Sequence, residues 1–244
     1  MSKQTLVFIP GLMCDEAVWA PQVAAFGGRA QMQVADHGLK DSLVAMAEAI
    51  IAQAPPKFAV LGHSMGGRVA LEVVRRAGAR VTGLALLDTG ATPRAAGEAG
   101  EHEQAGRYDL LELARGEGMR AVGERWLKIP MVYAPRLQDA PLIEAIVDMF
   151  ERQSPEKFEA QIRALLNRPD ARPLLPLISC PTLVLCGADD AWAPLTQHRV
   201  ISQLIPHSTL VSVPECGHMS TMERPELVNA ALSTWLNRVE QLAS

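Results

Sequence analysis

Residues 60–67 read VLGHSMGG, and the fold follows from how that stretch is read. Val60, Leu61 and Gly62 close an apolar run, and residues 65–77 read as a helix. Ser64 therefore stands where a strand stops and a helix starts. One role that fits is the helix N-cap, in which the serine oxygen accepts an orphan backbone N–H. The other is a nucleophile on a turn so sharp that its backbone is strained. Such a turn holds the hydroxyl clear of the sheet and needs small residues two places to either side. Gly62 and Gly66 meet that need, and the helix N-terminus would aim N–H groups at the reacting centre. Gly62-His63-Ser64-Met65-Gly66 is thus a G-x-S-x-G motif in its required context, and Ser64 is read as the nucleophile.

Outward from this turn, strands and helices alternate. Residues 5–9 are an apolar run stopped by Pro10-Gly11. Asp15 is expected to cap a helix over 17–26, and 31–35 to form a second strand. Asp41 is expected to cap a helix over 43–53, which Pro55-Pro56 stops. Residues 58–61 and 81–87 supply the third and fourth strands. Alternation resumes with strands at 182–186 and 209–213 and helices at 195–204 and 225–241. Apolar strands alternating with helices predict an α/β fold, a mostly parallel sheet with helices on both faces.

Between the fourth and fifth strands the alternation fails. Helical segments fit residues 110–113, 119–127, 141–152 and 155–166, so the expected organisation is a core of 1–90 and 175–244 with a helical cap of 91–174 inserted in it. The cap should lie over the carboxyl edge of the sheet, where such sheets bind ligands.

The 244 residues carry a net charge of −4 and 48% apolar residues, a globular composition without a basic stripe for nucleic acid. No apolar run approaches the ~18–20 residues that span a bilayer. The N-terminal apolar run is too short for a signal peptide, so the expected location is cytoplasmic. Cys14, Cys180, Cys186 and Cys216 form no C-x-x-C pair, and Cys216-Gly217-His218 offers at most two ligands, so no metal site or cofactor is expected.

A serine nucleophile needs a base at neutral pH. Of six histidines, His218 in Pro214-Glu215-Cys216-Gly217-His218 falls in a loop after the last strand, on the same sheet edge as Ser64. His63, next to the serine, is expected to face away from the substrate. The base needs a carboxylate to fix its tautomer. Asp190, in Gly187-Ala188-Asp189-Asp190, is the choice, with Asp189 and Asp88 as alternatives. A tetrahedral intermediate needs preorganised donors. These are expected from the N–H of Met65, which follows the nucleophile, and from Leu12, in the Pro10-Gly11 loop.

With these residues in place the chain resembles the α/β-hydrolase superfamily along nearly its whole length. The elbow GHSMGG, the acid loop GADDAWAP and the segment PECGHMSTMERPE carry the resemblance. In that superfamily the acid falls three residues after the loop glycine and four before the proline, and both counts select Asp190. His218, Glu223 and Pro225 match the superfamily's histidine segment. Within it, GMRAVGERWL and SPEKFEAQIRAL are similar to the cap of 3-oxoadipate enol-lactonases and related small esterases, whereas Pro10-Gly11 stands where the superfamily has His-Gly.

The resemblance implies a cofactor-free serine hydrolase acting on a small carboxylic ester or lactone through Ser64, His218 and Asp190 and an acyl-enzyme. It leaves carbon–carbon bond hydrolases, haloperoxidases, thioesterases, lyases and non-catalytic ligand-binding members as alternatives. Trp126 and Trp192 are the expected pocket residues. Arg107, Arg115, Arg120, Arg125 and Arg136 lie in or near the cap, and one of them could meet a substrate carboxylate.

Overall fold

Four of the apolar runs contain almost no polar residue to turn outward, so as strands they must be covered on both faces. The computed structural model, which describes residues 3–243, bears this out. In chain order its elements are β1 (Thr5–Ile9), α1 (Ala20–Phe26), β2 (Gln31–Val34), α2 (Leu43–Gln53), β3 (Phe58–His63), α3 (Met65–Ala77) and β4 (Val81–Leu87). Then come α4 (Glu98–Glu117), α5 (Met119–Leu127), α6 (Ala140–Glu151) and α7 (Pro155–Leu166). The chain continues with β5 (Thr182–Gly187), α8 (Leu195–Leu204), β6 (Thr209–Val213), α9 (Ser220–Glu223) and α10 (Pro225–Ala243). The six strands form one sheet in the order β2-β1-β3-β4-β5-β6, and every neighbouring pair is parallel.

Strands β1, β3 and β5 are buried along their whole length, and β4 at all but Thr82. The edge strands β2 and β6 are only partly buried. QMQV alternates polar and apolar residues as a half-covered edge requires, and TLVSV places polar Thr209 and Ser212 among its apolar residues. Helix α10 lies so close to the sheet that a Cβ on Gly83 of β4 would sit 2.4 Å from Val239 and 2.9 Å from Trp235. The Trp235 indole N–H donates to the Pro181 carbonyl at 3.0 Å and fixes that contact.

Several expected boundaries move, each for a local reason. Asp15 does cap, accepting from the Ala17 N–H at 2.9 Å, but the turn it opens is a 3-10 turn over Glu16–Trp19. Pro21, which lacks an N–H, lies in the first turn of α1, so the α-helix proper starts at Ala20 rather than 17. The cap of α2 is Ser42, not Asp41: the Ser42 hydroxyl accepts from the Ala45 N–H at 3.1 Å. Strand β3 runs two residues past the expected end, because Gly62 and His63 pair with Leu86 and Leu87 of β4.

The largest difference is α4, twenty residues where only 110–113 was expected. Its buried positions are only Gly100, Leu111 and Ala114, so it has no apolar stripe to read. It is built instead from Glu, Ala, Leu and Arg, which favour helix, with an i,i+4 Arg107–Glu103 pair at 2.9 Å. Helices α4 to α7 all fall between β4 and β5. The expected core boundaries include positions 1, 2 and 244, which lie outside the described residues.

Two glycine substitutions separate crowding from freedom. Gly83→Ala is expected to cost about 1–3 kcal/mol, because Val239 and Trp235 must shift. Gly106→Ala, on an open face of α4 with nothing within 4 Å of the new methyl, is expected to gain about 0.5–1 kcal/mol. Urea unfolding of both variants against the parent measures the two signs.

Candidate active site

The turn between β3 and α3 holds Ser64 at φ 53° and ψ −118°, a conformation that L-residues adopt only under constraint. Close contact enforces it. A Cβ on Gly62 would lie 2.3 Å from the Gly66 carbonyl oxygen, and one on Gly66 would lie 2.1 Å from that of Ile9. The Ser64 N–H donates to Leu87 at 2.9 Å, and the Thr89 hydroxyl donates to the Ser64 carbonyl at 2.6 Å. The Ser64 side chain makes no N-cap bond, so the capping role does not describe it.

Its hydroxyl meets a histidine. Ser64 Oγ is 2.8 Å from His218 Nε2, and His218 Nδ1 is 2.8 Å from Asp190 Oδ2. The other Asp190 oxygen accepts from the backbone N–H groups of Trp192 and Ala193 at 2.8 and 2.9 Å. Asp190 follows β5 and His218 follows β6, so the three side chains come from loops at one end of the sheet. Asp189 is exposed and makes no such contact.

Burial disfavours the His218 cation. The Asp190 carboxylate and its hydrogen bond outweigh that, and the His218 pKa is raised above the ordinary histidine value. Burial likewise opposes the Asp190 charge, but His218 and the hydrogen bonds prevail and its pKa is lowered. The arrangement stabilises an imidazolium next to a serine oxygen, which is what proton transfer from a serine requires.

Asp88 stands behind this pair rather than in it. Its carboxylate accepts from Gly187 N–H at 3.0 Å and from the Ser220 backbone N–H and hydroxyl, bracing the loops that carry Asp190 and His218. Burial and the nearby Asp190 charge raise its pKa well above the carboxylate range. His63 was expected to face away. Instead its Nε2 lies 2.8 Å from the His218 carbonyl oxygen, and it forms part of the cavity wall beneath the serine. Burial pushes its pKa down to about 3, so it is neutral.

Glu223 was noted in the sequence only for its match to a motif. It is wholly buried and accepts three backbone N–H groups, from Gly217, Met219 and Tyr133, at 2.9–3.1 Å. Two of these flank His218, and the third belongs to the stretch between α5 and α6. The His218 N–H itself donates to the Met131 carbonyl at 2.7 Å. Spacing alone does not expose such a hub, because its partners are backbone N–H groups, and the one from Tyr133 lies 90 residues away in the chain.

The cavity beside Ser64 holds about 110 Å³, and Leu12, Met65, Trp126 and Trp192 all line it. The Met65 N–H opens α3 and has no acceptor within the helix. The Leu12 N–H has no protein acceptor among the described residues. The Trp192 ring lies 5.7 Å from that of His218 and 5.3 Å, edge-on, from that of Trp126. Cys14 also lines the cavity, but burial pushes its thiol up to about 12, so it is no nucleophile at neutral pH. Among the described residues no cluster of three or more His, Cys, Asp or Glu could hold a metal, and no helix is long and apolar enough to cross a membrane. Arg68, which also lines the cavity, went unremarked in the sequence. Its signal was its place four residues past Ser64, on the same side of α3.

The sequence profile of the alpha/beta hydrolase family matches residues 6–231. The chain belongs to that family. Among its relatives in the family, a putative carbamate hydrolase of Caulobacter sp. (strain K31) is 26% identical over 96% of this chain and 91% of its own length. A pimeloyl-[acyl-carrier protein] methyl ester esterase of Chromobacterium violaceum is 30% identical over 71% of this chain and 68% of its own. A thermophilic esterase from Thermogutta terrifontis, solved with malate bound, superposes with a TM-score of 0.85 at 28% identity, covering 98% of this chain and 91% of that one.

Glu223→Ala would strand three buried N–H groups around His218. The expected cost is roughly 3 kcal/mol or more, read from urea unfolding, together with loss of the His218-dependent activity proposed below. Glu223→Gln keeps an acceptor oxygen and should lose less of both.

Proposed function

We propose that this chain is a serine-dependent carboxylic ester hydrolase acting on a small ester or lactone. The observation that carries the reading is the unbroken chain from Ser64 Oγ through His218 to Asp190, two hydrogen bonds of 2.8 Å that end at a cavity. The esterase names of its relatives support the same reaction class.

In this reading Ser64 Oγ attacks the ester carbonyl carbon while His218 Nε2 takes its proton. The Ser64 Oγ–carbon bond forms, and the carbonyl electron pair moves to oxygen. The N–H groups of Leu12 and Met65 hold that oxyanion; both residues border the cavity, and Met65 is at the N-terminus of α3. The imidazolium gives its proton to the departing alkoxide as the carbon–oxygen bond breaks, leaving an acyl-Ser64. A water molecule, deprotonated by His218, attacks the acyl group, and the carboxylic acid leaves with Ser64 restored. Asp190 keeps the Nδ1 proton in place and stabilises the imidazolium in both halves. Helices α4 to α7, within residues 91–174, act as the cap on a core of 1–90 and 175–244. Trp126 and Trp192 form the apolar wall against which an acyl group packs.

Ser64→Ala is expected to lower turnover of short-chain nitrophenyl esters by roughly 10,000-fold or more, with the acyl-enzyme burst lost. A variant that kept most of the wild-type rate would overturn the reading, as would a wild type inert to all acyl esters and lactones.

The pH profile tests the base. His218 must be neutral to accept a proton, so kcat/KM should fall tenfold per unit as pH drops below its pKa, which lies above the ordinary histidine value. Asp190→Asn removes the charge that raises it, so the acid limb should move to lower pH while kcat falls by about 10,000-fold.

A further inference from the structure

The loop after β1 carries the Leu12 N–H, and three consecutive peptide groups in it are each held by a different partner. The Pro10 carbonyl accepts from His37 Nε2 at 3.0 Å. The Gly11 carbonyl, on the same peptide as the Leu12 N–H, accepts from the Cys14 N–H at 3.2 Å. The Met13 N–H, on the next peptide, donates to Gln161 Oε1 at 2.9 Å. Met13 sits at φ 57°, a left-handed conformation that a non-glycine residue keeps only where its surroundings impose it.

The two side chains come from distant parts of the chain. His37 follows β2 in the core, and Gln161 belongs to α7 of the insertion, 148 residues from Met13. Both are buried, with 2% and 0% exposed. Burial pushes the His37 pKa down to about 4, so the ring is neutral, and its one proton is on Nε2 because a carbonyl only accepts. Each uses one polar atom on the loop. The other, His37 Nδ1 or Gln161 Nε2, has no protein partner among the described residues. Packing alone would be served better by an apolar side chain of that size, which buries no unpaired polar atom. Neither side chain lines the cavity at Ser64.

The insertion is tied to the same part of the core at two further points. Lys157 of α7 donates to Asp36 at 2.9 Å, and Arg152, just past α6, donates to the two oxygens of Asp15 at 2.7 and 3.1 Å. These exposed pairs hold the start of α7 against the loops after β1 and β2, and Gln161 reaches the backbone beside Leu12.

We infer that Gln161 is a positioning residue for the oxyanion donor: a side chain of the helical insertion sets the aim of the Leu12 N–H, with His37 fixing the peptide on its other side. The inference rests on the ester hydrolysis proposed above. It adds that the insertion helps to build the reacting centre as well as covering it. An oxyanion donor is effective only when it already points at the place the oxygen will occupy. Freed from Gln161, the Leu12–Met13 peptide can rotate and carry the neighbouring N–H off that line.

The test compares wild type, Gln161→Leu, Gln161→Glu and Ile162→Val on a short-chain nitrophenyl ester. Gln161→Leu removes the acceptor and is expected to lower kcat by roughly 10- to 100-fold while KM stays within about 3-fold. Gln161→Glu keeps an acceptor oxygen and should recover most of that loss. Ile162→Val thins the packing of the next, fully buried residue of α7 and leaves every hydrogen bond of the loop in place, so its kcat should stay within about 2-fold of wild type. A kcat unchanged in Gln161→Leu, or lowered as much in Ile162→Val, overturns the inference.

Binding gives a readout without turnover. Ser64 Oγ adds to the carbonyl carbon of an alkyl trifluoromethyl ketone, the carbonyl electron pair moves to oxygen and the serine proton goes to His218, so the affinity reports the oxyanion donors. The matching trifluoromethyl alcohol forms no such oxyanion. Gln161→Leu is expected to bind the ketone roughly 10- to 100-fold more weakly and the alcohol within about 3-fold of wild type, which also shows that it is folded. Equal losses for the two ligands overturn the inference. Hydrogen exchange on wild type needs no variant: the Met13 N–H should be protected like the core amides of β1, and free exchange there overturns the inference. If no ester is hydrolysed but ketone affinity depends on Gln161, the hydrolytic reading fails and the positioning role stands.

Discussion

Helix α3 meets the ends of β1 and β3 so closely that neither elbow glycine could carry a side chain. The helix enters where any side chain at Gly66 would strike the Ile9 carbonyl 2.1 Å away, and any at Gly62 would strike the Gly66 carbonyl. That contact does three things. It forces Ser64 to a positive φ, it brings the loop after β1 beside the serine, and it turns the first-turn N–H groups of α3 toward the cavity. A helix set one methyl further out would separate Leu12 from Met65 and relax the serine. The strained residue persists because the sheet on one side and the helix on the other leave it no alternative.

The loops that carry His218 and Asp190 are braced by two further buried acidic side chains, Asp88 and Glu223. Asp88 ties the start of the Asp190 loop to Ser220, and Glu223 gathers the backbone on both sides of His218. A loop residue left to itself would wander by more than a hydrogen bond tolerates. Here each loop is fixed by several backbone bonds to an ionisable group that is almost fully buried, with 0–1% of Glu223 and Asp88 exposed. Their hydrogen bonds offset only part of the cost of burial, which still raises the pKa of both groups.

The parts legible in the sequence were those with local causes. The elbow is a steric pattern within five residues, and the buried strands are apolar runs, so Ser64 and the parallel sheet followed from spacing and composition. His218 and Asp190 followed from chain order at one sheet edge, with the acid singled out over its neighbour Asp189 only by resemblance. Helix α4 was not legible, since ion pairs and helix-forming residues hold it without an apolar stripe. Ser42 rather than Asp41 caps α2, a one-residue choice between two good capping residues that composition does not resolve. The positions of Asp88 and His63 depend on contacts across 99 and 155 residues of chain, and the tie from Glu223 to Tyr133 spans 90, which no local pattern encodes.

The bonds from Glu223 to Tyr133 and from His218 to the Met131 carbonyl join the helical insertion to the histidine loop at one point. A Cβ on Gly217 would collide with that same stretch, 2.6 Å from the Met131 oxygen. The insertion is therefore pinned on this side like a door on its post. Any displacement of 131–133 would pull on the His218 backbone and so on its contact with Ser64, whereas the far side of the insertion, where α4 carries Arg107 near the exposed Gln197 of α8, has no such tie to the histidine loop.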